Sequence, residues 1–176
     1  MEVPSGGCLA ITGPSGSGKS LLLRMLADLD PHKGEAWLGT DARSGMTGAA
    51  WRGRVRYAAA EPGWWLPEMG AHFPVLPLED AAALGLPESV FTRAPAQCST
   101  GERARLGLLR ALAGRPLALL ADEPTGALDT AAAQAVEALL RARLEAGLIV
   151  VLVTHDPKQA ERFGTAHRTM AHGQFA

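Results

Sequence analysis

Eight residues, Gly13-Pro14-Ser15-Gly16-Ser17-Gly18-Lys19-Ser20, constrain this chain more than any other stretch. They fit the pattern G-x-x-x-x-G-K-[ST]. Three glycines let the backbone curl tightly, so successive N–H groups can point inward at phosphate oxygens. Lys19 adds a point charge for the β- and γ-phosphates, and Ser20 a hydroxyl for Mg²⁺. Upstream, Cys8-Leu9-Ala10-Ile11 reads as a short buried strand. Downstream, Leu21 to Leu29 reads as a helix whose N-terminus faces the anion.

Beyond this loop, strand-like and helix-like runs alternate, which predicts an α/β fold with a mainly parallel central sheet flanked by helices. The predicted strands are Cys8–Thr12, Val55–Ala58, Leu117–Ala121 and Leu148–Thr154, with a short hairpin strand at Glu35–Leu38 and a last edge strand at Arg168–Ala171. Helices are expected over Lys19–Leu29, Gly101–Ala113, Thr130–Leu144 and Pro157–Phe163. Gly39–Gly53 is Gly-rich and reads as a loop with a helical turn near Trp51. The prolines between Pro62 and Pro95, with the Ala/Leu segment Glu79–Leu86, fit a small helical lobe inserted between strands.

A second constellation ends a buried strand. Leu117-Ala118-Leu119-Leu120-Ala121 is apolar, as a strand covered on both faces must be, and it runs into Asp122-Glu123. Ligands of such sheets sit at strand carboxyl ends. Asp122 is thereby placed to hold Mg²⁺ through water, and Glu123 to polarise a water attacking the γ-phosphate. His155 closes the next buried strand on the same side, where an imidazole can reach the γ-phosphate, although a lone histidine there is also compatible with a structural role. Asp129 and Asp156 read as N-caps of the helices that follow them, the latter with Pro157 at the first helical position. Ser99 and Glu102 form an S-x-x-E capping box, whose helix N-terminus also suits an anion.

Composition narrows the function classes. The 176 residues carry a net charge of −1, with 47% hydrophobic and 20% charged residues, enough for one domain with a core. That balance gives no electrostatic case for nucleic acid or anionic membrane. The arginine pairs Arg103/Arg105 and Arg141/Arg143 read as solvated helix faces. Cys8 and Cys98 make neither a disulfide framework nor a metal site and read as small buried hydrophobes. No leader peptide opens the chain and no apolar run nears the ~20 residues that span a bilayer, so the expectation is a soluble cytoplasmic protein.

Taken in order, these pieces resemble the nucleotide-binding subunit of ATP-binding-cassette (ABC) transporters, over nearly the whole chain. Gly13–Ser20 matches the family's Walker A loop. Ser99-Thr100-Gly101-Glu102 resembles its signature, Leu117–Glu123 its Walker B strand with the catalytic Glu, Gly126–Asp129 its D-loop, and His155 its switch histidine. The resemblance implies a P-loop fold with a nucleotide-binding core (1–63 and 114–176) and a helical lobe carrying the signature (64–113). It implies ATP and Mg²⁺ as ligands, with Lys19, Glu123 and His155 catalytic. Ser20 and Asp122 would face the metal, while Gly13, Pro14, Ser15, Gly16, Ser17, Gly18, Leu21, Glu61, Ser99, Gly101, Glu102 and Asp129 would face nucleotide. It further implies a head-to-tail homodimer closing around two ATP molecules. A separate transmembrane permease would hold this dimer on the inner face of the cell membrane. A soluble non-transport ATPase and a weakly hydrolysing, ATP-gated interaction subunit are the alternatives.

The chain departs from the family pattern in several places. No aromatic residue precedes Gly13 to stack on adenine, as in a compact bacterial type lacking that segment, so modest affinity and poor base selectivity are expected. Ala60 stands where the family has its Q-loop glutamine, and neighbouring Glu61 is the candidate substitute. Thr100 replaces a signature glycine, and Leu21 a second hydroxyl residue; both point to slow turnover. Trp64, Trp65 and Phe73 either receive a partner's coupling helix or pack the lobe's own core.

Overall fold

The computed structural model describes residues 1–175. Strands alternate with helices through most of the chain: β1 (Cys8–Thr12), α1 (Lys19–Leu26), β2 (Trp37–Leu38), β3 (Asp41–Ala42), α2 (Gly48–Arg54), β4 (Val55–Ala58), α3 (Leu78–Ala83), α4 (Thr100–Leu112), β5 (Ala118–Asp122), α5 (Thr130–Glu145), β6 (Ile149–Val153), α6 (Pro157–Phe163), β7 (Ala166–Ala171) and β8 (Gln174–Phe175). The main sheet runs in the order β4-β5-β6-β1-β7-β8, all parallel except β8. Every strand from β4 to β7 therefore ends at the same edge, and that edge carries the phosphate-loop pattern.

Alternation along the strands divides the core into two layers. On one face Cys8, Leu119, Ala121, Val150 and Leu152 pack with Leu106 and Leu109 of α4, Val136 and Leu140 of α5, and the residues between β4 and α4. On the other, Leu9, Ile11, Leu120, Val151 and Val153 pack with Leu23 of α1, Trp51 of α2 and Met170 of β7. Segment 64–113 joins the first layer through Met69, Phe73, Val90 and Phe91. It is mostly irregular, with α3, three 3-10 turns (Gly70–His72, Glu88–Thr92, Pro95–Gln97) and then α4.

Several elements differ from expectation. α1 stops at Leu26 rather than Leu29 because Asp28 takes a left-handed conformation (φ 58°). Leu29 N–H then bonds Arg24 O and Asp28 N–H bonds Met25 O, the pattern of a Schellman end. Arg43 and Arg52 hold the Asp28 carboxylate there, at 2.6 and 3.2 Å. The expected loop 39–53 contains two turns of helix, α2, capped by Thr47 and fixed by Trp51, whose Nε1 donates to Leu26 O at 2.9 Å. Strand β2 is shorter than the hairpin strand expected at Glu35–Leu38 and pairs with β3 in its own ribbon. Arg168–Ala171 is not an edge: His172 (φ 50°) and Gly173 (φ 77°) form a tight two-residue turn that adds β8 outside it.

The arginines read as solvated are bound instead. Arg103 donates to Cys98 O (2.6 Å), Arg105 to Leu84 O (2.7 Å), Arg143 pairs with Asp80, and Arg141 lies over Phe163. The first three tie the irregular segment to α4 and α5. Both cysteines are free and buried, and burial pushes the Cys8 thiol up to about 12.

α4 starts on the predicted capping box. Ser99 Oγ accepts from Glu102 N–H, and Glu102 Oε2 accepts from Ser99 N–H at 2.7 Å. Ser99→Ala removes one of these bonds and is expected to cost about 1 kcal/mol. That loss corresponds to a melting temperature lower by about 2–4 °C in a scanning-calorimetry comparison with wild type.

Candidate functional site

The phosphate loop leaves β1 through Gly13, whose φ of 144° and close approach to β7 exclude a side chain: a Cβ there would lie 2.1 Å from Met170 O. Gly16 (φ 75°) and Gly18 (φ 98°) complete the turn, and Gly173 N–H donates to Ser17 O from the β7–β8 turn. Gly18 caps α1 without a side-chain hydrogen bond, and the first helical turn holds no acidic residue. Its leading N–H groups are thus unanswered by protein carboxylate, and the dipole of the eight-residue helix favours an anion. The Lys19 side chain is buried and folds back on the loop, donating to Gly13 O (2.8 Å) and Pro14 O (2.9 Å). Ser17 Oγ is buried with no partner. Pro14, Ser15, Gly16, Ser20 and Leu21 are exposed around this cradle.

The acids stand on the tip of β5. Asp122 is 4% exposed, and its Oδ2 accepts from Tyr57 Oη on β4 at 2.8 Å. Burial, reinforced by that carboxylate, raises the Tyr57 phenol above its ordinary range. Glu123 adopts φ 47°, a left-handed conformation uncommon in a non-glycine residue. Its N–H donates to Val153 O (2.9 Å), and its Oε1 meets His155 Nε2 at 2.8 Å. Gly126 lies close behind, since a Cβ there would sit 3.4 Å from Glu123 Oε2.

Lys19, Asp122, Glu123 and His155 thus collect at the carboxyl edge of β1, β5 and β6. Glu61 follows β4 at the same edge and is exposed. The residues around Asp129 and Ser99 hold other positions. Asp129 Oδ1 caps α5, accepting from Ala132 N–H at 2.9 Å. Gly101 abuts the 126–129 segment, where its Cβ would lie 3.5 Å from Leu128 Cδ2. Both Glu102 oxygens are engaged, Oε2 by Ser99 N–H and Oε1 by Arg93, and these partners hold its carboxyl below the usual range, the Ser99 backbone bond foremost. Thr100 Oγ1 accepts from Arg103 at 3.3 Å.

Two residues at this edge lay outside the sequence reading. Tyr57 carried a faint signal as the chain's single tyrosine, in a predicted strand. Gln159 carried none: it is buried in α6 and donates to Thr125 Oγ1 (2.9 Å) and Glu137 Oε1 (3.1 Å), joining the segments that hold Glu123 and His155.

Comparison with known proteins agrees with this geometry. A family model described as ABC transporter matches residues 1–126. The chain is 33% identical over 199 residues to the Fe(3+) ions import ATP-binding protein of Pseudomonas fluorescens, covering 99% of this chain and 54% of that one. It is 37% identical over 183 residues to the lipoprotein-releasing system ATP-binding protein of Anaeromyxobacter dehalogenans, covering 92% and 77%. The chain thus spans about half the length of the iron-import relatives it matches. A solved dimer of an ATP-binding cassette in a post-hydrolysis state, bound to ADP and Pi, superposes with a TM-score of 0.87 at 27% identity, covering 99% of this chain and 85% of that one.

The loop geometry separates two glycines. Gly13→Ala meets the Met170 carbonyl and is expected to cost about 3 kcal/mol, seen as a melting temperature lower by ~6–12 °C. Gly16→Ala faces open space and bears only left-handed strain, about 1 kcal/mol. Equal losses in the two melts would contradict the assignment of Gly13 to β7 contact.

Proposed function

The chain belongs to the ABC transporter family, and from that premise we propose that it is an ATP-binding and hydrolysing subunit that powers a separate membrane-spanning partner. The observation that supports this most is the meeting, at one sheet edge, of the Lys19 loop with the Glu123–His155 pair. Loop amides and the α1 N-terminus bind the phosphates, and Lys19 exchanges the Gly13 and Pro14 carbonyls for β- and γ-phosphate oxygens. Ser20 and Asp122 fit Mg²⁺, which takes one or two protein oxygens together with phosphate and water. An ion held there would neutralise phosphate charge. Glu123 takes the proton of the attacking water as the bond from the γ-phosphorus to the leaving ADP oxygen breaks. His155 donates its Nε2 proton to Glu123 in this structure and to a γ-phosphate oxygen once nucleotide is bound.

A second copy, head to tail, supplies the other wall of the site. Ser99 and Gly101 at the α4 N-terminus face the partner's γ-phosphate, and Asp129 lies in the dimer interface. Glu102 acts by keeping the α4 turn in shape, because its carboxylate is already spent on Ser99 and Arg93. Glu61 faces the metal from the end of β4, where Ala60 has no polar group to offer.

The groove beside β4 suits the membrane partner. It is lined by Tyr57, Pro62, Trp65, Arg52, Arg56 and Arg110, and its lining contains no acidic residue. Trp65 is 72% exposed, and Arg110 stacks on Trp64 and Trp65 at 4.2 and 5.0 Å. Arg56 Nε is buried without a partner. An amphipathic segment bringing an apolar side chain and a carboxylate matches this surface. Phe73 takes no part in it, being buried against Phe91. No helix among the described residues is long and apolar enough to cross a membrane, so on this reading the subunit is cytoplasmic and reaches the membrane through its partner.

Steady-state MgATP hydrolysis tests the reading. Glu123→Gln is expected to bind MgATP but to lose about 100-fold or more in kcat, whereas Lys19→Ala loses binding. A wild-type chain with no measurable MgATP affinity refutes it. Glu61→Ala is expected to lower kcat about tenfold with ATP binding retained, and an unchanged rate removes Glu61 from the metal site.

A further inference from the structure

The Asp122 carboxylate is buried at the tip of β5, yet among the described residues its hydrogen-bond donor is a residue of the neighbouring strand, Tyr57. β4 and β5 run parallel, with Tyr57 opposite Leu120. The phenol leans two residues forward along β5, so that Oη reaches Asp122 Oδ2 at 2.8 Å. The same ring packs against the layer of Leu23 and Val151 and lines the groove that holds Trp65 and Arg56. Its geometry is therefore fixed by packing on one side and by the carboxylate on the other.

A buried carboxylate with one donor turns about its Cβ–Cγ bond unless that donor locks it. Ala60, just past β4, ends in a methyl group and offers Asp122 no second donor. We infer that Tyr57 is a positioning residue for Asp122: its hydroxyl fixes Oδ2 and leaves Oδ1 for the water shell of the nucleotide's metal ion. Outer partners that orient a metal-facing carboxylate act in this way, and their loss typically weakens metal affinity by about 10- to 100-fold. The inference rests on the reading that Asp122 serves nucleotide-bound Mg²⁺. It adds a residue that touches neither nucleotide nor metal and joins the groove wall to the metal side of the site.

The test measures ATP affinity of the whole chain twice, with Mg²⁺ and with EDTA, for wild type, Tyr57→Phe and Asp122→Asn. Tyr57→Phe deletes one oxygen and keeps the ring in the groove. It is expected to cut the Mg²⁺-dependent gain in affinity about tenfold and to leave affinity in EDTA within about twofold of wild type. Asp122→Asn should lose at least as much of the gain. A full gain in Tyr57→Phe beside a lost gain in Asp122→Asn overturns the positioning role alone. A full gain in both variants overturns the assignment of Asp122 and the inference with it. Parallel loss in Mg²⁺ and in EDTA marks Tyr57 as a structural residue only and also overturns the proposal.

Discussion

One backbone bond sets the geometry of the sheet edge that carries Glu123 and His155. The β5–β6 ladder continues one residue beyond the strand pairs, where Glu123 N–H donates to Val153 O. At that point the chain enters the left-handed region, and Pro124 carries it away from the sheet. This junction places the Glu123 side chain beside His155, two residues past Val153 on the neighbouring strand. A non-glycine residue held left-handed costs of order 1 kcal/mol, and the ladder bond and the His155 contact offset it. The constraint is local, but it requires β5 and β6 to keep their register. Register in turn depends on which face each side chain takes. Leu119 and Ala121 must meet α4 and α5 while Leu120 meets α1, so the packing of both layers reports on the position of one carboxylate.

The charge layout follows from the same edge. Lys19 is buried, and its ammonium is satisfied by neutral carbonyls rather than by an acid. A carboxylate partner would compete with phosphate, whereas two carbonyls place no counter-ion beside it. Asp122 is treated in the complementary way, paired with a neutral phenol rather than a cation. Neither group therefore holds a counter-ion in the hydrogen bonds described. Elsewhere the chain pairs its charges: Arg24 with Asp30, Arg54 with Asp41, Arg93 with Glu102 and Arg162 with Glu137.

How much of this was legible in the sequence depended on the range of the interaction. β1, β4, α6 and the α4 capping box follow from patterns within a few residues, and they agree with the structure nearly residue for residue. The loop glycines and the Asp122-Glu123 pair were equally legible because their chemistry demands fixed spacing. The end of α1 was not, because Asp28 stays left-handed only through Arg43 and Arg52, which follow it by 15 and 24 residues. The Arg103, Arg105 and Arg143 contacts were hidden for the same reason: a helix pattern shows which face an arginine occupies but not which carbonyl crosses it. Tyr57 and Asp122 are 65 positions apart in sequence, and only the β4–β5 pairing makes them neighbours.

The segment from Glu123 to Asp129 shows how the pieces bear on each other. Its Gly126 N–H returns to Glu123 O, and the small residue leaves the carboxylate room. Thr125 is held by Gln159 of α6, Leu128 lies against Gly101 of α4, and Asp129 starts α5. One seven-residue connection thus touches the Glu123 carboxylate, the helix that follows His155 and the turn that opens α4. Any shift of Glu123 relative to His155 must be taken up by this connection. A path of direct contacts therefore runs from Glu123 through Gly126 and Leu128 to the α4 N-terminus.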